Sequence, residues 1–262
     1  MVQHLTSIWR FRHFWLSLVR LDLRNRYRRS VLGIGWSLLN PIAMAAVWCI
    51  AFGQILGQGD WRSLAPTLLT GLAVWQFLTG SVLFGCDSFI RSEAYIRQCP
   101  LPYGIYPLRT TLGLFIHFVI ALGAVVLAIT VLQGNLQALA VLPLLIPAIL
   151  LTTLFSWCLA TLAAFANVFF HDTKHLTEVL VQLMFFLTPV MYTRDMLDRQ
   201  NLGWIADVNP AAYFVDLFRI SLIGGEGPSL QLYLQCGGLT LAAFGLACGT
   251  MAWLQKRIVF HL

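Results

Sequence analysis

Residues 110–132 read TTLGLFIHFVIALGAVVLAITVL, and His117 is the one ionisable side chain in this run. A hydrocarbon core about 30 Å thick is crossed by about 20 predominantly apolar residues in a helix. A run of this length and composition therefore predicts a membrane-spanning helix.

The rest of the chain has the same character. Hydrophobic residues make up 58% of the sequence and charged residues only 11%, against about 45–50% and about 25% in soluble domains. This composition excludes an ordinary soluble fold. We therefore predict an all-α integral membrane protein with six transmembrane helices, at residues 34–56, 64–84, 110–132, 144–166, 176–192 and 230–254.

The basic residues predict the orientation of these spans. Lysine and arginine are enriched in cytoplasmic loops near the ends of spans. With the N-terminus inside, thirteen of the 17 lysines and arginines lie on the cytoplasmic side. We expect a multi-pass protein of the cytoplasmic (inner) membrane with both termini in the cytoplasm. The first 30 residues lack the apolar stretch and cleavage site of a secretory signal, so we expect this segment to be retained.

The N-terminal segment carries two opposed stripes. At helical spacing, Ile8, Phe11, Trp15 and Leu18 form an apolar face, and Arg10, His13, Ser17, Arg20 and Arg24 form a polar one. This pattern predicts an amphipathic interface helix on the inner leaflet.

A basic cluster directly precedes the first span. Such a cluster could bind anionic lipids, or its guanidinium groups could hold the phosphates of a lipid-linked substrate at a lateral entrance. The residues leave both interpretations open. The arginines are Arg24, Arg26, Arg28 and Arg29.

Two further polar segments lie between the spans. Residues 87–100 are compatible with a helix up to Pro100 and carry both charge signs, which suits either a connecting loop or a short helix gripped by a soluble partner. Residues 193–229 exceed a median loop of about 4–6 residues. There Asn209 and Pro210 begin a helix as N-cap and first helical residue. Asp216 and Arg219 are spaced to pair on it. We expect short helices that re-enter the outer leaflet as an exit gate, or a surface cap.

Several kinds of chemistry are missing from the sequence. No Gly-Lys dipeptide occurs, so the phosphate-binding loop of P-loop ATPases is absent. Ion-coupled transporters keep charged residues inside their spans, whereas only His117 lies well inside one here. The six cysteines form no CxxC pair and most fall within spans, so neither disulfides nor a metal site is expected. The driving force must then come from another chain or a gradient.

An enzyme is the alternative from a different class. Residues 171–175, His-Asp-Thr-Lys-His, could ligate a metal or serve acid–base chemistry in a membrane enzyme of lipid-linked glycan synthesis. No second carboxylate group accompanies them on that face, and as a solvated turn they need no special chemistry.

A set of motifs spans nearly the whole chain. The motifs are YRRSVLGIGWSLLNP at 27–41, NVFFHD at 167–172, TPVMY at 188–192, Asn209-Pro210 and Phe218-Arg219. Together they resemble the permease subunits of type-2 ABC exporters of lipid-linked polysaccharides such as O-antigen, capsule and teichoic acid. In one position the chain differs, because it has His171-Asp172 where the family often has Arg-Asp.

The resemblance implies one permease domain over residues 1–262. Its parts are the interface helix and basic segment (1–30), spans one to five (31–192), the outer gate segment (193–229), and span six with the tail (230–262). The partners implied are a second copy of the chain and two cytoplasmic ATPase subunits, which bind ATP and Mg. The chain itself would hold no cofactor, catalyse no reaction and bind no nucleic acid. It would move a lipid-linked glycan among membrane lipids.

The resemblance also assigns roles by position. A coupling helix that docks in the ATPase would comprise Ser92, Glu93, Ala94, Tyr95, Ile96 and Arg97. The substrate headgroup would enter near Arg24, Arg26, Arg28 and Arg29. The exit gate would include Tyr192, Asn209, Pro210, Phe214, Phe218 and Arg219.

Aromatic side chains suit the passage of sugars, because sugar rings stack on aromatic faces. The candidates for a channel lining are Trp36, Trp75, Phe185 and Phe186, with packing or lipid contact as the alternative. A type-2 ABC permease for a drug or lipid is the nearest other function.

Overall fold

The computed structural model describes residues 8–28, 30–51, 61–98, 101–134, 141–255 and 257–258, and these contain helices and no strand. The helices are α1 Arg12–Tyr27, α2 Trp36–Cys49, α3 Trp61–Cys86, α4 Glu93–Gln98, α5 Ile105–Gln133, α6 Leu142–Phe169, α7 Thr173–Leu187, α8 Arg194–Asp198, α9 Gly203–Val208, α10 Pro210–Gly224 and α11 Leu230–Leu254.

Four of the described helices are long and apolar enough to cross a membrane: α3, α5, α6 and α11. They coincide with the second, third, fourth and sixth predicted spans, and α11 has the predicted bounds. The all-α membrane class is thereby confirmed, while the count of six spans stays a prediction.

The other two predicted spans are shorter in the structure. α2 has 14 residues, and residues 52–56 of the first predicted span lie outside the described part of the chain. α7 has 15 residues and ends before Thr188, whose backbone is extended. A residue that precedes proline is disfavoured in the helical conformation, so Pro189 explains why the helix stops there.

α1 and the residues just before it carry the two predicted stripes. Ile8 and Leu18 are buried, whereas Arg10, Arg20 and Arg24 are exposed on the opposite face. The position of this helix on the inner leaflet stays a prediction. A carboxylate of α1, Asp22, forms an ion pair with Arg109 of α5.

α3 lies at the centre of the bundle and contacts α2, α5, α6, α7 and α10. Stacked rings fill the core around it, with Phe77 and Phe118 at 4.6 Å between centroids and Phe155 and Phe214 at 4.4 Å. A smaller core lies where α3 ends and α5 begins. It contains Phe89, Tyr106, Ala164, Phe165, Val168 and Ile258.

Two glycines of α3 allow close contact with neighbouring backbone. A Cβ on Gly85 would lie 2.7 Å from the Cα of Ala160 in α6, and a Cβ on Gly71 would lie 2.7 Å from the carbonyl oxygen of Val190. Small residues permit such close approach between helices in membranes.

We predict that Gly85→Ala destabilises the fold by about 1–3 kcal/mol, because the added methyl group forces α3 and α6 apart. The measurement is the midpoint of thermal unfolding of the protein purified in detergent. Gly80→Ala is the matched control on the same helix, since its Cβ would meet Leu114 at 3.6 Å, an ordinary contact. Equal midpoints for the two variants would contradict the packing assignment.

Candidate functional site

Basic side chains collect at one end of the bundle, where α3 ends, α5 begins, α6 ends and α7 begins. We call it the basic end, and we call the opposite end, which carries residues 188–210, the far end. The side chains that define the basic end are Arg26, Arg91, Arg97, Arg109 and Lys174.

A short helix, α4, lies at the basic end where the coupling helix was predicted, and its role in coupling stays a prediction. We call residues 88–98 the coupling segment. A 3-10 turn at Ile90–Ser92 leads directly into α4. Ser92 is buried, Tyr95 packs edge-on against Phe14 of α1 at 6.2 Å between ring centroids, and Ile96 packs on the smaller core. Three of the six predicted coupling residues therefore hold the segment to the bundle.

The remaining three coupling residues form the outer surface of the segment. Ala94 and Arg97 are exposed, and Glu93 is half-buried. Arg97 donates to the Glu93 carboxylate at 2.8 Å, one helical turn away. The preceding turn adds Ile90 and Arg91 to this surface, both exposed. These two were not among the coupling residues inferred from the sequence.

A polar network ties the coupling segment to α7. The Asp87 carboxylate accepts hydrogen bonds from the Lys174 Nζ at 2.9 Å and from Arg91 at 3.1 Å. The buried Asn167 side chain donates to the Cys86 carbonyl at 2.9 Å and accepts from the Lys174 backbone N–H at 3.2 Å. The end of α3, the end of α6 and the start of α7 are thus held together.

The turn between α6 and α7 is exposed at His171 and Asp172. The next histidine, His175, lies 3.4 Å from the Glu178 carboxylate, one turn along α7. Within the described residues, no group of three or more His, Cys, Asp or Glu side chains could hold a metal ion.

A polar cavity of about 650 Å³ lies beside the basic cluster, between the end of α1 and helices α2, α3 and α5. On its wall the Ser37 hydroxyl lies 2.7 Å from His117 Nδ1 and 3.0 Å from the Tyr27 hydroxyl. The amides of Asn40 and Gln76 also line it. The cavity therefore offers hydrogen-bonding groups within an otherwise apolar bundle.

The arginines of the basic cluster differ in position. Arg26 lines the polar cavity, and its guanidinium lies 5.2 Å from the centroid of the Phe84 ring. Arg24, Arg26 and Arg28 are all exposed, and only Arg26 of the three lines a cavity. Arg29 lies outside the described residues.

Three of the four aromatic candidates form a row. Trp75 lies 5.9 Å from Phe185 between ring centroids, and Phe185 lies 5.6 Å from Phe186. Trp75 is buried and Phe186 is exposed, so the row leads from the core to the surface of α7. Trp36 instead lines the polar cavity.

At the far end, Arg219 holds the chain reversal after α7. Its buried guanidinium donates to the carbonyls of Pro189 at 2.9 Å, Val190 at 3.0 Å and Tyr192 at 3.2 Å. A fourth contact reaches the Thr67 carbonyl of α3 at 3.4 Å. Several backbone carbonyls at once suit the forked donors of arginine.

The other predicted gate residues surround this reversal. Asn209 caps α10 by accepting from the Ala211 N–H at 3.0 Å, with Pro210 as the first helical residue, as predicted. The Asn209 amide also donates to the Thr188 hydroxyl at 2.8 Å, and the Tyr192 hydroxyl donates to the Phe186 carbonyl at 2.7 Å.

Two further gate candidates lie in the core. Phe214 and Phe218 are fully buried. Phe214 stacks on Phe155, and Phe218 lies edge-on to Phe118 at 5.4 Å between ring centroids. In this conformation they stabilise the bundle, and their part in a gate stays a prediction.

Asp216 and Arg219 do not form the expected direct ion pair, although each charge stabilises the other electrostatically. Asp216 accepts from Arg194 of α8 at 3.1 Å, and Arg194 also binds Asp207 at 2.7 Å. The spacing along α10 brings the two charges within reach of each other. The Asp216 carboxylate nevertheless binds Arg194 of α8, and the Arg219 guanidinium binds backbone carbonyls.

We predict that Arg219→Gln destabilises the protein by about 3 kcal/mol, because buried carbonyls lose a charged donor. The midpoint of thermal unfolding in detergent measures the effect. Arg199→Gln, at an exposed position of the same end, should leave the midpoint unchanged. A similar midpoint for both variants would show that Arg219 does not hold the reversal.

Comparison with known proteins matches residues 13–223 to the family described as ABC-2 type transporter. Two proteins of Klebsiella pneumoniae, each named O-antigen export system permease protein RfbA, are 27% and 29% identical to the chain over 232 residues, which is 86% of either sequence. A protein of Myxococcus xanthus with the same name is 28% identical over 193 residues, 73% of either sequence. With four long apolar helices and a family match over most of its length, this chain belongs to the ABC-2 type transporter family.

Proposed function

We propose that the chain is the membrane-spanning permease subunit of an ATP-driven type-2 ABC exporter that carries a lipid-linked polysaccharide, O-antigen or a similar surface glycan, across the cytoplasmic membrane. The observation that carries the proposal is the alignment with permeases named for O-antigen export over 86% of both sequences. The chain has no phosphate-binding loop of its own, so ATP and Mg would bind to a separate subunit.

The exposed surface of the coupling segment supports a soluble partner. It combines an apolar side chain, Ile90, with the charges of Arg91, Glu93 and Arg97 on a short, well-anchored element. A cytoplasmic ATPase subunit would bind here, and the basic end and both termini would then lie in the cytoplasm.

The polar cavity supports a substrate rich in hydroxyl groups. Hydroxyl, imidazole and amide side chains from Ser37, His117, Asn40 and Gln76 give it both donors and acceptors, and the Trp36 ring adds an apolar surface. Arg26 on the same wall would attract the phosphate that links such a glycan to its lipid.

A second copy of the chain would complete the exporter. No residue of α7 is buried, and Leu176, Leu180 and Leu183 are each more than half exposed.

α2 and α7 would complete six spans, and α8 to α10 would re-enter the outer leaflet. We place the glycan path along α7, because the row from Trp75 to Phe186 reaches the surface there.

The proposal predicts that cells lacking this protein accumulate lipid-linked glycan on the inner side of the membrane. The measurement follows radiolabelled sugar in the lipid extract and on the cell surface, with and without a plasmid that restores the gene. Surface glycan should fall while the lipid-linked pool rises. Loss of the lipid-linked pool itself would indicate an enzyme of synthesis, and an unchanged glycan distribution would indicate another cargo.

The coupling assignment predicts that Arg97→Glu lowers the amount of ATPase subunit that co-purifies with the chain roughly tenfold, because it reverses a charge on the docking surface. The double variant Glu93→Arg/Arg97→Glu keeps the ion pair within α4 while reversing both surface charges, so it separates docking from helix stability. It should also lose the ATPase. Arg199→Glu at the far end is the control, and unchanged complex formation and export in the double variant would refute the assignment.

A further inference from the structure

A second cavity, of about 340 Å³, lies at the basic end between α1, the end of α3, the coupling segment and the start of α5. We call it the arginine cavity. It shares Arg26, Phe84 and Leu114 with the polar cavity. The polar groups around it come from Asp22, Arg26, Ser88, Arg91, Ser92, Arg109 and Thr110.

The charges around this cavity do not cancel. Arg109 is paired with Asp22. Arg91 shares the Asp87 carboxylate with Lys174. Among the residues that the structure describes, Arg26 has no carboxylate within ion-pair distance. The cavity therefore has an excess of positive charge.

Arg26 and Arg91 converge on one ring although they come from different segments. Their guanidinium carbons lie 5.2 and 5.8 Å from the centroid of Phe84. Attraction to the ring face orients a guanidinium without using its hydrogen-bond donors. The donors of Arg26, and those of Arg91 that do not bind Asp87, thus stay available to a ligand in the cavity.

A buried hydroxyl on the same wall has no partner. Ser88 is 3% exposed, and within the described structure its Oγ makes no hydrogen bond. Buried polar side-chain atoms are nearly always hydrogen-bonded. Beside two arginines, a free hydroxyl donor indicates a site that an anion completes.

We propose that the arginine cavity binds the phosphate group of an amphiphile, with Arg26, Arg91 and Ser88 as donors. Arginine suits phosphate because its planar fork can donate two parallel hydrogen bonds. Arg26 belongs to α1, whereas Ser88 and Arg91 belong to the coupling segment. A bound phosphate therefore joins the interface helix to the surface on which the ATPase would dock. The site rests on the proposed function only for its natural ligand, which is either the lipid-linked substrate or a bilayer phospholipid.

The test uses the purified full-length chain in detergent, with bound amphiphile counted by native mass spectrometry. The probes are dodecyl phosphate, dodecanol and inorganic phosphate. Wild-type protein should bind dodecyl phosphate at least about tenfold more tightly than dodecanol, since only the phosphate provides charge-assisted hydrogen bonds. Equal binding of the two amphiphiles would overturn the proposal, because the alkyl chain alone would then explain it.

Variants locate the binding within the protein. Arg26→Gln and Arg91→Gln should each weaken dodecyl phosphate binding about tenfold, and Ser88→Ala about threefold. Arg20→Gln is the matched control, because Arg20 is an exposed arginine of the same helix that does not line the cavity. It should change the affinity less than about twofold. An equal loss in the Arg20 and Arg26 variants would overturn the site in favour of diffuse attraction to the positive charges of α1.

Competition identifies the source of the phosphate. Displacement of dodecyl phosphate by phosphatidylglycerol but not by phosphatidylcholine would support a site open to anionic bilayer phospholipids. Resistance to both, with binding still dependent on Arg26, would support a site reserved for the substrate. These binding results are independent of the export measurement. If the Arg26→Gln variant binds dodecyl phosphate as tightly as the wild type and exports normally, only the proposed site is refuted. Absence of an export defect in cells without the protein refutes the proposed function alone.

Discussion

The backbone of α3 touches its neighbours at two glycines, and the positions of both functional ends depend on these contacts. Gly71 admits the carbonyl of Val190, which belongs to the reversal at the far end, and Gly85 admits the backbone of Ala160 beside the basic end. Within a bilayer the hydrophobic effect does not drive helices together, so close van der Waals contact has a larger part in the association. The contacts of α3 therefore determine where the basic end and the far end lie relative to each other.

Polar groups then fix α7 at each end while its middle remains loosely packed. Lys174 and Asn167 hold its start, and Arg219 and Asn209 hold the turn that follows it. A backbone carbonyl in an apolar environment is costly when it lacks a donor. The reversal at residues 189–192 is therefore tolerated because Arg219 donates hydrogen bonds to three of its carbonyls. No side chain of α7 is buried, so its position depends on these terminal contacts and on Val181 and Phe185, which are partly buried against the core.

Local patterns in the sequence predicted the local features of the fold. The two stripes of α1, the cap formed by Asn209 and Pro210, and the bounds of α11 all follow from periodicity, capping and hydropathy over neighbouring residues. The features that escaped prediction join distant segments. Lys174 binds Asp87, 87 positions away, and Arg194 takes Asp216, 22 positions away. The coupling helix was predicted as a set of six residues, but the turn at Ile90–Ser92 determines which of them point outward.

The position of Asp87 indicates how the motion of a partner bound at the coupling segment would be transmitted to the far end of the bundle. One largely buried carboxylate holds Arg91 of the coupling segment and Lys174 of α7. A displacement of the segment must either move the start of α7 or separate this carboxylate from a cation, and a poorly solvated charge resists separation from its partner. α7 can move more easily, because its exposed side chains give up few buried contacts when they slide against lipid or a second copy. Under the proposed function, motion of the ATPase would pass from the coupling segment through Asp87 and Lys174 to α7, and along α7 to the reversal that Arg219 holds.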